Sequence, residues 1–197
     1  MTIYFDYNAT CKIRPDALAA MNAALNDAPG NASSVHGPGR NARKHIEHAR
    51  EKIARAVGVT PKQIIFNSGA TEGNNTVLKF FQFNSPPYKW GGGGGDSLVF
   101  PRILISATEH SSIYETGREM GVEIIPVLPN GTLDLTALQK MCATGPAPAL
   151  ISVMWVNNET GVINPVADIA RIAHMYGAAF HVDAVQAFGK IPVDFVA

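Results

Sequence analysis

The sequence predicts an α/β fold in which helices cover both faces of a mostly parallel β-sheet. Segments with apolar residues at helical spacing alternate along the chain with short apolar runs, which is the pattern of βαβ units. The run at residues 149–154 is apolar at nearly every position, as expected for a strand buried on both faces of a parallel sheet. With 46% hydrophobic and 16% charged residues among 197, the composition is that of a protein with a core.

The N-terminal part of the chain is predicted to be helical. A first helix covers residues 15–28, begins with a proline and is ended by Pro29-Gly30. A second helix covers residues 39–57, carries apolar side chains at intervals of three and four residues, and is ended by Gly58. Residues 1–14, which precede both helices, are predicted to form an N-terminal arm.

From residue 63 onwards, predicted strands and helices alternate. Each strand is a short apolar run, and each helix shows apolar residues at helical spacing. The predicted strands are residues 63–66, 102–107, 122–127, 149–154 and 178–182, and the helices between them are residues 68–81, 111–120, 134–141 and 165–176. Residues 15–197 are therefore predicted to form one α/β domain.

A glycine-rich segment interrupts this alternation. It contains Gly91–Gly95 as an unbroken run. Glycine loses more conformational entropy on ordering than any other residue and has no side chain to pack. Residues 84–101 are therefore predicted to form a mobile surface loop.

Composition also argues against several classes of protein. The 16 basic residues are balanced by 16 acidic ones, whereas nucleic-acid-binding proteins usually carry excess positive charge. No apolar run is long enough to span a membrane, and the N-terminus lacks the features of a signal peptide. The two cysteines, Cys11 and Cys142, form neither a disulfide framework nor a zinc pattern, which favours a reducing, cytoplasmic location. His181 and Asp183 lack further candidate ligands, so no metal site is predicted.

Polar residues follow four of the predicted strands directly. Ligands of open α/β sheets bind beyond the carboxyl ends of the strands, so we expect these residues to line one pocket. They are Ser68–Thr71, Thr108–His110, Asn157–Glu159 and Asp183–Gln186.

The first of these segments, Ser68-Gly-Ala-Thr71, places small residues at the start of a helix. Its free backbone N–H groups, the helix dipole and the threonine hydroxyl suit a phosphate group. An ordinary N-cap would use the same residues. The segment matches neither the P-loop nor the G-x-G-x-x-G pattern, which disfavours the two commonest nucleotide sites.

His110 and Asp183 supply two other kinds of group. The flat imidazole ring of His110 could stack on another ring, or could serve only as hydrogen-bonded packing. The carboxylate of Asp183 follows an apolar strand and needs a cationic partner or several donors, for which a protonated pyridine nitrogen or an arginine would serve. A phosphate cradle, a ring to stack on, an amide and this carboxylate together describe a pyridoxal phosphate site.

The sequence resembles the first half of a cysteine desulfurase of the iron–sulfur-cluster and nitrogenase type. That family lies among the class V aminotransferases, which are fold-type I pyridoxal-phosphate enzymes, and the resemblance covers nearly all of the chain. It rests on Tyr4-Phe-Asp-Tyr-Asn-Ala-Thr10, Gly30-Asn-Ala-Ser-Ser-Val-His36, Phe66-Asn-Ser-Gly-Ala-Thr-Glu72, Thr108-Glu-His110, Val156-Asn-Asn-Glu-Thr-Gly161 and His181-Val-Asp-Ala-Val-Gln186.

The resemblance implies a fold-type I large domain over residues 15–197 and a role for each site residue. Ala70 and Thr71 would hold the phosphate of pyridoxal 5′-phosphate. His110 would stack on the pyridine ring and act as the catalytic residue that assists proton transfer. Asp183 would pair with the ring nitrogen.

It also implies contacts for two further residues, a substrate and partners. Gln186 would donate to the phenolic oxygen of the ring, and Asn158 would lie near that oxygen and the substrate carboxylate. The substrate would be L-cysteine, converted to L-alanine with sulfur passed to an enzyme cysteine. A homodimer, and an iron–sulfur scaffold or another sulfur-acceptor protein as partner, would follow.

One departure from the family concerns its Schiff-base lysine, which lies in a Ser-Gly-His-Lys stretch. These 197 residues contain no such stretch. Lys190 is expected to be a surface or turn residue, and neither cysteine matches the acceptor cysteine of the family. We therefore expect a domain that is truncated before the lysine and inactive alone. A non-catalytic paralogue that binds a phosphate ligand or a full-length partner, and another class V aminotransferase or lyase, are the alternatives.

Overall fold

The computed structural model describes residues 3–84 and 101–193. Described residues up to Phe66, together with Val193, form one compact unit, and Asn67–Pro192 form another. The loop predicted for residues 84–101 lies outside the described residues except at its two ends. The predicted division into an arm and a domain from residue 15 stays a prediction.

The first unit contains two long helices and a 3₁₀ turn. They are α1 (Pro15–Asp27), α2 (Gly37–Ala56) and the 3₁₀ helix Pro61–Gln63. Helix α1 starts at a proline, whose missing N–H would have no intrahelical partner at that position. Helix α2 is capped by His36, whose Nδ1 accepts a hydrogen bond from the Gly39 N–H at 3.3 Å. Both helices begin within two residues of the predicted starts.

The strand predicted for residues 63–66 was wrong. Thr60 and Gln63 close a capping box, in which the Thr60 N–H donates to Gln63 Oε1 at 2.9 Å, and this places Gln63 in the 3₁₀ helix. The next residues pair with no described strand, and Ile65 is 83% exposed. A strand is stable only when a neighbour takes up its backbone hydrogen bonds, so an apolar run without one remains irregular.

The second unit is built on a parallel sheet in the order β2-β1-β3-β4. Its strands are β1 (Ile103–Ser106), β2 (Glu123–Ile125), β3 (Leu150–Met154) and β4 (Ala179–Asp183). The register pairs Ile105 with Ile124 on one side and with Ser152 on the other, and it places Met154 beside Asp183. The predicted parallel sheet is confirmed for these four strands, which are the same length as the predicted runs or shorter.

Four helices accompany this sheet, two for each face. They are α3 (Ala70–Asn84), α4 (Ser111–Met120), α5 (Leu135–Ala143) and α6 (Val166–Met175). On one face, Leu78 of α3 and Ile113 of α4 form a fully buried cluster with Ile103, Ile105 and Leu150.

The opposite face of the sheet has a core of its own. There, Leu138 of α5 and Ile169 of α6 pack in a cluster with Leu104, Ile151 and Val153. Neighbouring residues of each strand thus enter different cores, because successive side chains of a strand point to opposite faces. The predicted helices on both faces are confirmed.

Candidate active site

The unit of residues 67–192 contains all the predicted site residues. His110 lies after β1, Asn158 lies in the turn after β3, Asp183 ends β4, and Gln186 lies in the turn that follows β4. Because β1, β3 and β4 are parallel neighbours, their carboxyl ends meet at one edge of the sheet.

Ala70 and Thr71 were predicted to follow a strand directly, and this prediction was wrong. The two residues form the exposed first turn of α3, where backbone N–H groups have no partner within the helix. Glu72 folds back so that its Oε2 accepts hydrogen bonds from the Ser68 N–H at 2.7 Å and the Ser68 hydroxyl at 2.5 Å. These two bonds lower the pKa of Glu72. The negatively charged side chain beside the first turn of α3 is therefore that of Glu72 itself.

Asp183 is a buried carboxylate whose hydrogen-bond donors are neutral. It is 5% exposed. Its Oδ1 accepts a hydrogen bond from the Val185 N–H at 3.1 Å, and its Oδ2 accepts one from Asn74 Nδ2 at 2.9 Å. Within residues 3–84 and 101–193, no lysine or arginine forms an ion pair with it. An anion kept away from water in this way can still accept a cationic ligand atom.

His181 lies two residues before Asp183 and does not supply that cation. Its Nδ1 lies 2.9 Å from the Ser152 hydroxyl. Burial lowers the pKa of His181, and the negative charge of Asp183 offsets this only in part. The imidazole is therefore neutral near pH 7.

His110 caps the N-terminus of α4 and is connected to Asp183 through two other side chains. Its Nδ1 accepts a hydrogen bond from the Ser112 N–H at 3.1 Å and lies 2.8 Å from the Ser112 hydroxyl oxygen. That oxygen accepts a hydrogen bond from Asn74 Nδ2 at 3.0 Å. The structure thus joins the two residues predicted to contact a ligand ring by a continuous chain of hydrogen bonds.

The sequence prediction missed Asn74 and Ser112. Asn74 follows Thr71 by three residues, which places both on one side of a helix, and Ser112 follows His110 by two. A polar residue one helical turn after a predicted site residue could have indicated Asn74 as a further member of the site. Its burial and its bond to Asp183, 109 residues away, could not be read from the sequence.

Glu109 is a further missed residue, although its motif was recognised. Its Oε1 accepts a hydrogen bond from the Met154 N–H at 2.5 Å, while Oε2 is shielded from solvent without a hydrogen-bond partner among the described residues. Burial raises the pKa of Glu109 from 4.5 to about 8; the Met154 bond opposes this and the charge of Asp183 adds to it. Glu109 is therefore mostly protonated at pH 7.

The turn that carries Asn158 is held by its neighbour Asn157. The Asn157 Oδ1 accepts hydrogen bonds from the backbone N–H groups of Glu159 at 3.0 Å and Thr160 at 2.8 Å. Its Nδ2 donates to the Thr108 carbonyl at 3.0 Å. The turn after β3, in which Asn158 is half-buried, is thereby fixed to the loop after β1.

Substituting Asn157 by alanine should destabilise the protein. The variant removes the acceptor of the Glu159 and Thr160 N–H groups and the donor to the Thr108 carbonyl, all of them part-buried, so we expect Asn157→Ala to lower the free energy of unfolding by about 1–3 kcal/mol. Urea denaturation measures this change. Asn130→Ala is the matched control, because Asn130 makes the same type of turn with Thr132 at an exposed position. Equal losses in the two variants would contradict the role given to Asn157.

Gln186 and Lys190 contact each other after β4. The Lys190 ammonium donates a hydrogen bond to Gln186 Oε1, and Lys190 is exposed in a turn, as the sequence predicts. In the described part of the chain, no group of three or more His, Cys, Asp or Glu could hold a metal ion. The same residues include no helix long and apolar enough to cross a membrane.

Comparison with known proteins gives consistent matches over the whole chain. The aminotransferase class-V family model matches residues 3–197. The cysteine desulfurase IscS of Dictyoglomus turgidum is 39% identical over 197 residues, covering 98% of this chain and 47% of that protein. The selenocysteine lyase of Bos taurus is 36% identical over 215 residues, covering 98% of this chain and 49% of that protein.

A solved structure agrees with the fold. The X-ray structure of a NifS-like protein from Rickettsia africae ESF-5 matches with a TM-score of 0.84 and 36% identity, covering 98% of this chain and 51% of that one. The predicted fold-type I α/β class is confirmed by this match. The chain spans about half the length of the relatives it matches. Since the family model extends from residue 3 to residue 197, the chain belongs to the aminotransferase class-V family and is a homologue of the IscS- and NifS-like cysteine desulfurases.

Proposed function

We propose that this chain is the cofactor-binding portion of a pyridoxal-phosphate-dependent cysteine desulfurase. The observation that carries the proposal is the buried Asp183 carboxylate, which accepts hydrogen bonds from neutral donors at the carboxyl end of β4. The protonated ring nitrogen of pyridoxal phosphate is a cation that could pair with this anion. Family membership and similarity to cysteine desulfurases support the same conclusion.

The first turn of α3 would hold the phosphate group. Ala70 and Thr71 offer backbone N–H groups at a helix N-terminus, together with the Thr71 hydroxyl, in an exposed position. Asn74 of the same helix is bonded to Asp183, so one rigid element carries both the phosphate cradle and a support for the ring-nitrogen partner.

Around the ring, each residue would have a separate task. The bound cofactor would supply an electron sink that stabilises negative charge at the α-carbon of an amino acid. Asp183 would keep the ring nitrogen protonated by its charge. His110 would stack on the ring and move a proton at the α-carbon, and Gln186 and Asn158 would donate to the phenolic oxygen and orient the substrate.

The neutral state of Glu109 would serve this arrangement. Its carboxyl group, like that of Asp183, lies at the carboxyl edge of the sheet, next to the Met154 N–H. A protonated Glu109 adds no second negative charge near Asp183, so the ion pair between Asp183 and the ring nitrogen would involve a single anion.

L-cysteine is the proposed substrate because the desulfurase relatives act on it by name. Selenocysteine is the second candidate, favoured by the similarity of the chain to a selenocysteine lyase. A homodimer, a cytoplasmic location, and an iron–sulfur scaffold or another sulfur acceptor as partner are further proposals drawn from the family. The activity of the family would also require its Schiff-base lysine, whose Ser-Gly-His-Lys stretch these 197 residues lack.

Pyridoxal phosphate should bind reversibly to this 197-residue chain. No Ser-Gly-His-Lys stretch is present to supply the lysine of the family, so the phosphate cradle, stacking on His110 and the Asp183 ion pair would hold the cofactor without a covalent bond. The test adds the cofactor, measures binding by equilibrium dialysis, reduces with borohydride and searches for pyridoxyl adducts by mass spectrometry. We expect saturable binding, only weak labelling scattered over several lysines, and turnover of cysteine near background.

Stoichiometric labelling of a single lysine would contradict this prediction. Lys190 is the first candidate for such labelling, because its ammonium donates a hydrogen bond to Gln186, a residue proposed to contact the ring. The Lys190→Arg variant keeps the positive charge but cannot form an imine with the cofactor aldehyde. If labelling is scattered, this variant should leave the adduct pattern unchanged at the other lysines.

A further inference from the structure

The side-chain amide of Asn74 forms hydrogen bonds with both Asp183 and Ser112. Asn74 is 4% exposed. Its Nδ2 donates one hydrogen to Asp183 Oδ2 at 2.9 Å and the other to Ser112 Oγ at 3.0 Å. An amide nitrogen has two hydrogens, so both are used. Helix α3 is thereby bonded to the end of β4 and to the first turn of α4.

In the row of hydrogen bonds from His110 to Asp183, the donor and acceptor of each bond follow from the adjacent bonds. The Ser112 N–H donates to His110 Nδ1, so that nitrogen is an acceptor. Because Nδ1 then carries no hydrogen, the Ser112 hydroxyl, 2.8 Å away, is the donor in its bond to Nδ1, while the Ser112 oxygen accepts from Asn74. A neutral His110 therefore carries its proton on Nε2.

At the other end of this row of hydrogen bonds, both carboxylate oxygens of Asp183 accept hydrogen bonds. Oδ2 accepts from Asn74 and Oδ1 accepts from the Val185 N–H. Both oxygens therefore act as acceptors, and each retains a lone pair for a further donor. Asn74 is thus a donor toward both of its partners, which a carboxylate side chain at the same position could not be.

We propose that Asn74 is a positioning residue that fixes Asp183 and, through Ser112, His110 relative to each other. The inference rests on the proposed function, because these are the two residues assigned to the pyridine ring. A ring that is paired at its nitrogen and stacked at its face needs both groups held at once. Buried hydrogen bonds hold a side chain more firmly than packing alone, because an unpaired partner would be costly.

The neighbouring Asn75 offers a matched control. Its Nδ2 donates to the carbonyl oxygens of Thr71 at 2.9 Å and Ser112 at 3.2 Å, and its Oδ1 accepts from the Thr116 hydroxyl at 2.8 Å. None of these bonds involves the side chains of Asp183 or His110. Asn75→Ala therefore removes at least as many hydrogen bonds from the same helix without cutting the chain between the two site residues.

The experiment uses 4′-deoxypyridoxine 5′-phosphate, which has the ring and phosphate of the cofactor but no aldehyde to react with lysines. Its dissociation constant, and the pH at which the bound ring nitrogen loses its proton, are measured by ultraviolet absorbance. We expect the wild-type chain and Asn75→Ala to retain the ring proton to higher pH than free probe. Asn74→Ala should bind about 10-fold or more weakly and lose much of this retention. Equal behaviour of Asn74→Ala and Asn75→Ala would overturn the proposal.

A second measurement separates this inference from the proposed function. If the wild-type chain does not bind the probe, the cofactor site is wrong, and the role of Asn74 is then judged in the ligand-free chain. There the ¹⁵N signal of His110 Nδ1 should move in Asn74→Ala and stay in place in Asn75→Ala. An unchanged signal in Asn74→Ala would overturn the link through Ser112.

Ser112→Ala covers the case in which Asn74→Ala fails to fold. This variant keeps the bond between Asn74 and Asp183 but cuts the connection to His110. We expect it to move the His110 Nδ1 signal while the bound probe keeps its ring proton. Loss of the ring proton to the same degree as in free probe would contradict the separate roles of the two bonds. Thermal melts of each variant check that the chain is folded.

Discussion

The Glu109→Gln variant should be more stable than the wild-type chain at alkaline pH and about equally stable in acid. The folded-state pKa of Glu109 is about 8, against 4.5 for the unfolded group. The folded protein therefore binds a proton that the unfolded chain has released, and wild-type stability falls as pH rises from about 4.5 to about 8. Glutamine resembles the protonated acid and removes this dependence. From the difference between the two pKa values, we expect a gain of about 5 kcal/mol above pH 8.

Urea denaturation at several pH values measures this effect. In Glu109→Gln, the amide oxygen of the new side chain would still accept the hydrogen bond from the Met154 N–H that Glu109 Oε1 accepts now. Glu119→Gln is the control, because Glu119 is exposed on α4 and its substitution should leave the pH dependence of stability unchanged. A pH dependence that is the same in Glu109→Gln and the wild-type chain would show that Glu109 is ionised in the folded protein.

The Asp183→Ala variant should lose most of its affinity for pyridoxal phosphate. The carboxylate is the proposed partner of the ring nitrogen, and hydrogen bonds to charged groups contribute about 1.5–3 kcal/mol, so we expect binding to weaken by about 10- to 100-fold. Equilibrium dialysis at neutral pH gives the dissociation constants. The dissociation constant of inorganic phosphate should be the same for the wild-type chain and the variant, because the first turn of α3 is unchanged.

Two comparisons make this result specific. Asp168→Asn removes a carboxylate on the exposed side of α6, where Asp168 pairs with Arg171, and should leave affinity unchanged. Asp183→Asn keeps the size of the side chain but removes its charge, and should resemble Asp183→Ala in affinity. Full affinity in either Asp183 variant would contradict the proposed ion pair and, with it, the observation on which the cofactor assignment rests.

Much of the fold could be predicted from the sequence because local patterns determine it. The run at residues 149–154 predicts a buried strand, and β3 forms there with all its residues buried. Helices α1 and α4 begin at or beside the predicted residues, since a proline and an N-cap histidine act through neighbouring atoms. The predicted strand at residues 63–66 failed because its stability depends on a partner strand, which a local pattern cannot provide.

The order of residues along the chain is enough to show which polar groups follow each strand, and it predicts His110, Asn158, Asp183 and Gln186 at one edge of a parallel sheet. Which of these residues are connected depends on the folded chain, because the hydrogen bond between Asn74 and Asp183 joins residues 109 positions apart. The protonation of Glu109 is likewise a tertiary property. It arises from the removal of water by surrounding elements, and desolvation depends on what packs around a group and not on its neighbours in the chain.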